Sequence, residues 1–248
     1  MSILKVEGLS KEFGGQIVLN KINFSIEAKG VYAILGKKGH GKSVLAALLA
    51  GCYEADEGIV AYNDTVLDPS DKKSKLLKKK IGYVPEICFF PADMTVLELL
   101  DFTGKMRGVS PDKRSRQIKE ALELLLLTEK REALVKGLTV TEKKRLSFAN
   151  ALVGNPSVLI LDEPISNASA EDAELIKDLI SMLGEKKVII ILTDRTSDAD
   201  ALASQIGIMS DGELVLWESL EQIKLKLDGD RNALLKTFLA FTDGAREA

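Results

Sequence analysis

The sequence predicts an α/β fold with a largely parallel sheet and an inserted helical segment. Three observations carry this. Short apolar runs alternate with amphipathic helical stretches. The apolar run VYAILG (31–36) leads through a glycine-rich turn into KSVLAALLAG (42–51). Residues 92–154 keep a helical period without any strand signal. A chain of 248 residues, 46% hydrophobic and 29% charged, can bury a substantial core.

Taken in order, residues 2–7 and 21–26 alternate as half-buried strands, and VYAILG reads as a strand covered on both faces. The helix after it is expected to end at Gly51, and IVAYN and IGYV are further strands. In the helical segment, Ile118, Leu122, Leu125 and Leu126 are expected on one face, as are Leu146, Ala149 and Val153. Strands return at SVLILD and KVIIILT, separated by a helix with Ala173, Ile176, Ile180 and Leu183 on one face. The C-terminal segment reads as two helices. KKSKLLKKK places six lysines between Lys72 and Lys80, which reads as a solvated helix face.

A net charge of −3 gives no global attraction to nucleic acid or anionic membrane. The start MSILKVEGLS lacks the pattern of a signal peptide, and the apolar runs are too short to span a bilayer. Cys52 and Cys88 make neither a disulfide framework nor a zinc site, and are expected as buried small hydrophobes.

Residues Gly36 to Ser43, GKKGHGKS, fit G-x-x-x-x-G-K-S between a strand and a helix. Glycines let backbone N–H groups wrap an anion, and the helix N-terminus adds its positive end. The nucleotide contacts expected are Gly36, Lys37, Lys38, Gly39, His40, Gly41, Lys42, Ser43 and Val44. Lys42 would reach the β- and γ-phosphates, and the Ser43 hydroxyl would hold Mg²⁺. His40, the one histidine, occupies a variable position of the loop and takes no catalytic role. VLILDEP (158–164) is a buried strand ending in two acids. Asp162 would reach the metal shell, and Glu163 would orient or deprotonate water.

With these residues the chain resembles the ATP-binding subunit of an ABC transporter, from LSKEFGGQIVLNKINFSI (9–26) through SDGELV (210–215). DMTVLELLDF (93–102) and ALLKTFLAFTDG (233–244) resemble segments of the branch serving ABC-2-type efflux permeases. The resemblance implies a P-loop NTPase: a RecA-like parallel core with an antiparallel β subdomain (1–91 and 155–216), a helical signature subdomain (92–154) and a C-terminal helical extension (217–248). It implies ATP and Mg²⁺ as ligands, Glu163 and Lys42 as catalytic residues, and Phe13 stacked on adenine. A membrane permease and a second ATP-binding subunit are the implied partners, with nucleic acid excluded and the chain at the cytoplasmic face of the membrane. Two such subunits pack head to tail, each offering its signature segment to the other's ATP.

Here that segment is LTVTE (138–142). Thr139 keeps a hydroxyl, and T-V-T-E forms a capping box with Glu142. Val140 and Thr141 replace two glycines, so β-branched side chains stand where backbone should approach phosphate. Glu142 adds a negative charge there. Glu86 occupies a glutamine position and is expected to ligate Mg²⁺, Ser169 stands at an aspartate position, and Asp194 replaces a switch histidine. These departures imply good binding with slow turnover, in a heterodimer or a slow homodimer. The alternative is a largely non-hydrolysing regulatory subunit beside a more active ATPase. ICFFPADM (87–94), with Phe89 and Phe90, either receives the permease or belongs to the subdomain core.

Overall fold

Which faces of the strands are buried follows from two sheets packed through one α/β core. The computed structural model describes residues 3–68 and 71–243. The first half contains β1 (Leu4–Phe13), β2 (Gln16–Ile26), β3 (Gly30–Gly36), α1 (Lys42–Leu49), β4 (Glu57–Tyr62), β5 (Thr65–Val66), α2 (Lys72–Lys78) and β6 (Ile81–Val84). Three helices follow, α3 (Val96–Met106), α4 (Pro111–Leu124) and α5 (Val140–Leu152). The chain continues through β7 (Val158–Asp162), α6 (Ala170–Gly184), β8 (Val188–Thr193), α7 (Thr196–Leu202) and β9 (Gln205–Ser210). It ends with β10 (Glu213–Ser219), α8 (Leu220–Lys226) and α9 (Ala233–Asp243).

The larger sheet has the order β10-β9-β3-β8-β7-β6. Its strands are parallel except β10, which pairs antiparallel with β9. Strand β3 alternates between two cores: Val31, Ala33 and Leu35 face the layer of α6, α7 and α9, whereas Tyr32 and Ile34 belong to the core shared with α1 and the smaller sheet. Covered on both sides, β7 and β8 are buried along their whole length, which is why they read as continuous apolar runs. Each large aliphatic side chain so withdrawn contributes roughly 1.5–3 kcal/mol, so the strand ends that carry polar residues are firmly anchored. The smaller sheet, β2-β1-β4-β5, is antiparallel and buries one face only, which gives β1 and β2 their alternation.

Helix starts follow local chemistry. Thr95 and Glu98 form a capping box on α3, Thr139 and Glu142 form one on α5, and Pro111 opens α4. Gly51, at φ 69°, ends α1 as expected.

Three expectations need correction. Leu126 does not share the α4 face: the helix stops at Leu124, Leu126 turns to φ 54°, and its side chain is exposed while Ile118, Leu122 and Leu125 are buried. The cysteines are not buried hydrophobes, since Cys52 is exposed and Cys88 half-buried. The C-terminal helices begin at Leu220, because β10 runs through Ser219 beside Gln205. Among the described residues, no helix is long and apolar enough to cross a membrane.

Candidate nucleotide site

The parallel register of the large sheet brings four chain segments to one edge. Leu35 lies beside Thr193, and Asp162 beside Leu192, so the ends of β3, β8 and β7 open at one level. There a cavity of about 390 Å³ is lined by Lys38, Gly39, Gly41, Lys42, Ser43 and Val44 from the loop and helix after β3. Glu86, Glu163 and Asp194 close it, with Val18, Ser166 and Asn167 at its margin.

Gly41 is the N-cap of α1 at φ 89°, and no side chain caps that helix. The first N–H groups of α1 therefore lack a side-chain acceptor and are available to an anion. Only glycine fits at position 41: an added Cβ would lie 2.7 Å from Leu19 Cδ2 and 2.9 Å from the Val18 carbonyl oxygen. The Lys42 ammonium donates to the Gly36 carbonyl (2.7 Å) and the Lys37 carbonyl (3.2 Å) and pairs with Glu163 Oε1 at 3.3 Å. Glu163 sits at φ 45°, and its Oε2 accepts a hydrogen bond from the Thr193 hydroxyl at 3.1 Å. Burial pushes its carboxyl above the ordinary value, Lys42 opposes that, and Asp194 adds to it.

Asp162 is buried, and among the described residues its Oδ1 has no hydrogen-bond partner. Burial raises its pKa, with Ser43 opposing. An orphaned buried carboxylate oxygen beside a hydroxyl fits a hard divalent cation. Among the described residues no three His, Cys, Asp or Glu converge on a metal position. A hydroxyl and a carboxylate at one edge of the cavity suit an ion whose coordination is completed by substrate phosphates and water, as that of Mg²⁺ is.

The remaining residues named from the sequence lie elsewhere. His40 turns toward the β9–β10 turn, where its Nδ1 accepts from the Asp211 N–H at 3.2 Å. Lys37 is tied to the end of α9 through Asp243 and the Thr242 carbonyl. Phe13 does not line the cavity. It is 44% exposed at the end of β1, edge-on to Tyr53 with ring centroids 5.7 Å apart, so it is no core residue. Thr139 caps α5 and does not line the cavity of its own chain. Glu142 is occupied by the Thr139 N–H and by Lys130 at 3.0 Å, which hold its carboxyl below the usual range. Ser169 caps α6 through Asp172. Tyr53 had no signal in the sequence, whereas Ser166 and Asn167 follow the acid pair directly, the Ser166 hydroxyl donating to the Glu163 carbonyl at 2.9 Å.

A family profile described as "ABC transporter" matches residues 19–166, from β2 through the acid pair after β7. The chain belongs to the ABC transporter family. Among curated relatives, the linearmycin resistance ATP-binding protein LnrL of Bacillus subtilis (strain 168) is 28% identical over 92% of this chain and 73% of its own. Nod factor export ATP-binding protein I of Rhizobium sp. (strain N33) is 31% identical over 84% of this chain and 68% of its own. A solved ATP-binding subunit of an ABC transporter superposes with a TM-score of 0.85 at 20% identity, over 96% of this chain and 99% of that one. A dimeric ATP-binding cassette bound to ADP and Pi superposes with a TM-score of 0.80 at 22% identity, over 88% and 98%. The fold is thus the P-loop NTPase fold, and the chain is an ATP-binding subunit of the ABC ATPase type.

Proposed function

We propose that this ATP-binding subunit couples Mg²⁺-dependent ATP binding and slow hydrolysis to a separate ABC-2-type efflux permease at the cytoplasmic face of a membrane. The observation that carries this is the convergence of Lys42, Glu163, Asp162 and Ser43 at an uncapped helix N-terminus. Within it the loop from Gly36 to Val44 cradles the phosphates, and Phe13 with its neighbour Tyr53 offers an aromatic face to adenine. Ser43, Asp162 and Glu86 would hold Mg²⁺, which when bound would supply charge neutralisation at the phosphate oxygens. Glu163 accepts the proton of the attacking water, and its raised affinity for a proton suits that role. Lys42 holds the phosphates and balances Glu163.

Slow turnover follows from the chemistry of four positions. Val140 is 78% exposed at the first turn of α5, so its isopropyl group faces any partner approaching the signature segment. Thr141 follows it, Asp194 brings a carboxylate to the cavity, and Glu86 replaces an amide. We divide the chain into a core (1–91 and 155–216), a helical subdomain (92–154) and a C-terminal extension, two such chains meeting head to tail with Thr139 facing the partner's ATP. Phe89 is 87% exposed whereas Phe90 packs on the core, so Phe89 is the residue offered to the permease. Mg²⁺-ATP turnover of the purified chain, compared with Glu163→Gln, tests the reading. Turnover clearly above that variant supports the coupled ATPase. Equal rates with both proteins binding ATP would make the chain a nucleotide-holding partner instead.

A further inference from the structure

Charge is spread unevenly over this chain. The whole carries a net charge of −3, yet six lysines and no acid fall between Lys72 and Lys80. Lys72, Lys73, Lys75 and Lys80 are exposed, and among the described residues none of the six makes an ion pair. Asp71, which precedes them, caps α2, its carboxylate accepting the Lys73 N–H at 3.0 Å. Ammonium groups crowded in this way repel one another, and an anionic surface relieves that repulsion.

Leu76 stands one turn from Lys72 and Lys73 and is 62% exposed, so the lysines frame an apolar side chain without covering it. Lys73 and Lys80 also meet at a cavity of about 240 Å³, beside Leu76, Asn63, Thr65 and Ser157. Two ammonium groups with amide and hydroxyl donors around them suit a phosphate group. The place of α2 in the fold decides what carries that phosphate. The helix leads directly into β6, the edge strand of the large sheet, and exposed Phe89 follows the other end of that strand. The 4 residues of β6 span roughly 13 Å, so the lysines and the residue offered to the permease share one edge.

We propose that the lysine-rich face of α2 is a docking surface for anionic phospholipid, which holds the β6 edge of the subunit against a bilayer. The choice of a bilayer over other polyanions rests on the proposed place of this subunit at a membrane. Headgroup phosphates meet the lysines, and Leu76 enters the interfacial layer. Charges farther off than about 8 Å are screened at physiological salt, so most of the acidic remainder of the chain does not cancel the attraction.

The test is flotation of the full chain, without nucleotide, with vesicles of phosphatidylcholine alone or mixed with phosphatidylserine. Wild type should bind the mixed vesicles, more weakly as salt rises, and should ignore the neutral ones. Each lysine near an anionic surface strengthens binding roughly fivefold, so Lys72→Gln, Lys73→Gln, Lys75→Gln and Lys80→Gln combined should weaken it by at least about tenfold. Arginine at the same four positions should preserve binding, and Leu76→Gln should weaken it roughly threefold. All four lysines are exposed, so thermal midpoints should match wild type; if the fourfold variant misfolds, Lys72→Gln with Lys75→Gln takes its place. Mixed vesicles left unbound by wild type, or bound equally after the glutamine substitutions, overturn the proposal. Single-stranded polyuridylate bound through these lysines, with vesicles ignored, assigns the face to nucleic acid and overturns it too. Each of these failures leaves Mg²⁺-ATP turnover above Glu163→Gln, and with it the coupled ATPase, standing. Loss of that turnover with vesicle binding intact sinks the ATPase reading alone.

Discussion

The Lys42 ammonium lies 3.3 Å from Glu163 Oε1, with the two side chains only 7% and 10% exposed. At this burial the pair is worth less than the cost of breaking it, because either partner left alone is an uncompensated charge out of water. Lys42→Ala should therefore lower stability by roughly 3 kcal/mol as well as weaken ATP binding. Adding Glu163→Gln to that variant should recover part of the stability, since the remaining side chain no longer carries a buried charge. Urea unfolding of the two single variants and the double variant measures this. Strict additivity would sink the electrostatic account in favour of lost packing.

Gly39 and Gly41 share φ 89° but not their surroundings, and the difference predicts two different costs. A Cβ at Gly39 meets nothing within 4 Å, so Gly39→Ala carries only the left-handed backbone cost, about 1–2 kcal/mol. A Cβ at Gly41 strikes Leu19 Cδ2 at 2.7 Å and the Val18 carbonyl at 2.9 Å, and overpacking adds roughly 1–3 kcal/mol more. Chemical denaturation should rank Gly41→Ala clearly below Gly39→Ala. Equal stabilities would show that the loop relaxes away from β2 without cost.

These two cases also show what the sequence made legible. The buried strands, the phosphate loop and the acid pair are local: each needs only its own pattern of apolar, glycine and charged residues, and each stands where expected. Leu126 shows where period alone fails, because the α4 pattern continues for two residues after the backbone has turned. Cys52 shows where composition alone fails, since its exposure is set by its position after α1 rather than by its side chain. Tyr53 meets Phe13 through tertiary packing that no short stretch encodes, whereas Ser166 and Asn167 reach the cavity as the direct continuation of the acid pair.

Asp172 gives the helical layer an acid limit. Its Oδ1 accepts from Arg145 Nε at 2.9 Å, and its Oδ2 from the Ser169 hydroxyl at 2.7 Å. Burial pushes its carboxyl up, but the Ser169 and Arg145 contacts prevail and hold it below the ordinary carboxylate value. A lowered native pKa means the unfolded chain binds the proton more readily, so stability is present above about pH 4 and is lost as pH falls through the native value. Asp172→Asn should cost about 3 kcal/mol at pH 7. The gap to wild type should close as pH falls below about 4, through the lowered native value. A gap independent of pH would assign the loss to the cap geometry of α6 instead of to charge.

Val140 and Thr141 occupy the first two positions of α5, behind the Thr139–Glu142 capping box. Because the box itself fixes the start of the helix, replacing both with glycine should cost only about 1 kcal/mol for each residue. What it removes is the pair of β-branched side chains at the surface proposed to face a partner's phosphate, with Val140 78% exposed. In a Glu163→Gln background, expected to hold ATP without hydrolysing it, Val140→Gly with Thr141→Gly should shift the chain toward an ATP-dependent dimer. Light scattering with ATP, and with ADP as control, reads the shift. A dimer that is already complete in Glu163→Gln alone would show that these side chains do not obstruct the interface. No dimer in either protein, with the melting curve still cooperative, would place the block elsewhere in the site, with the carboxylate of Asp194 the next to replace.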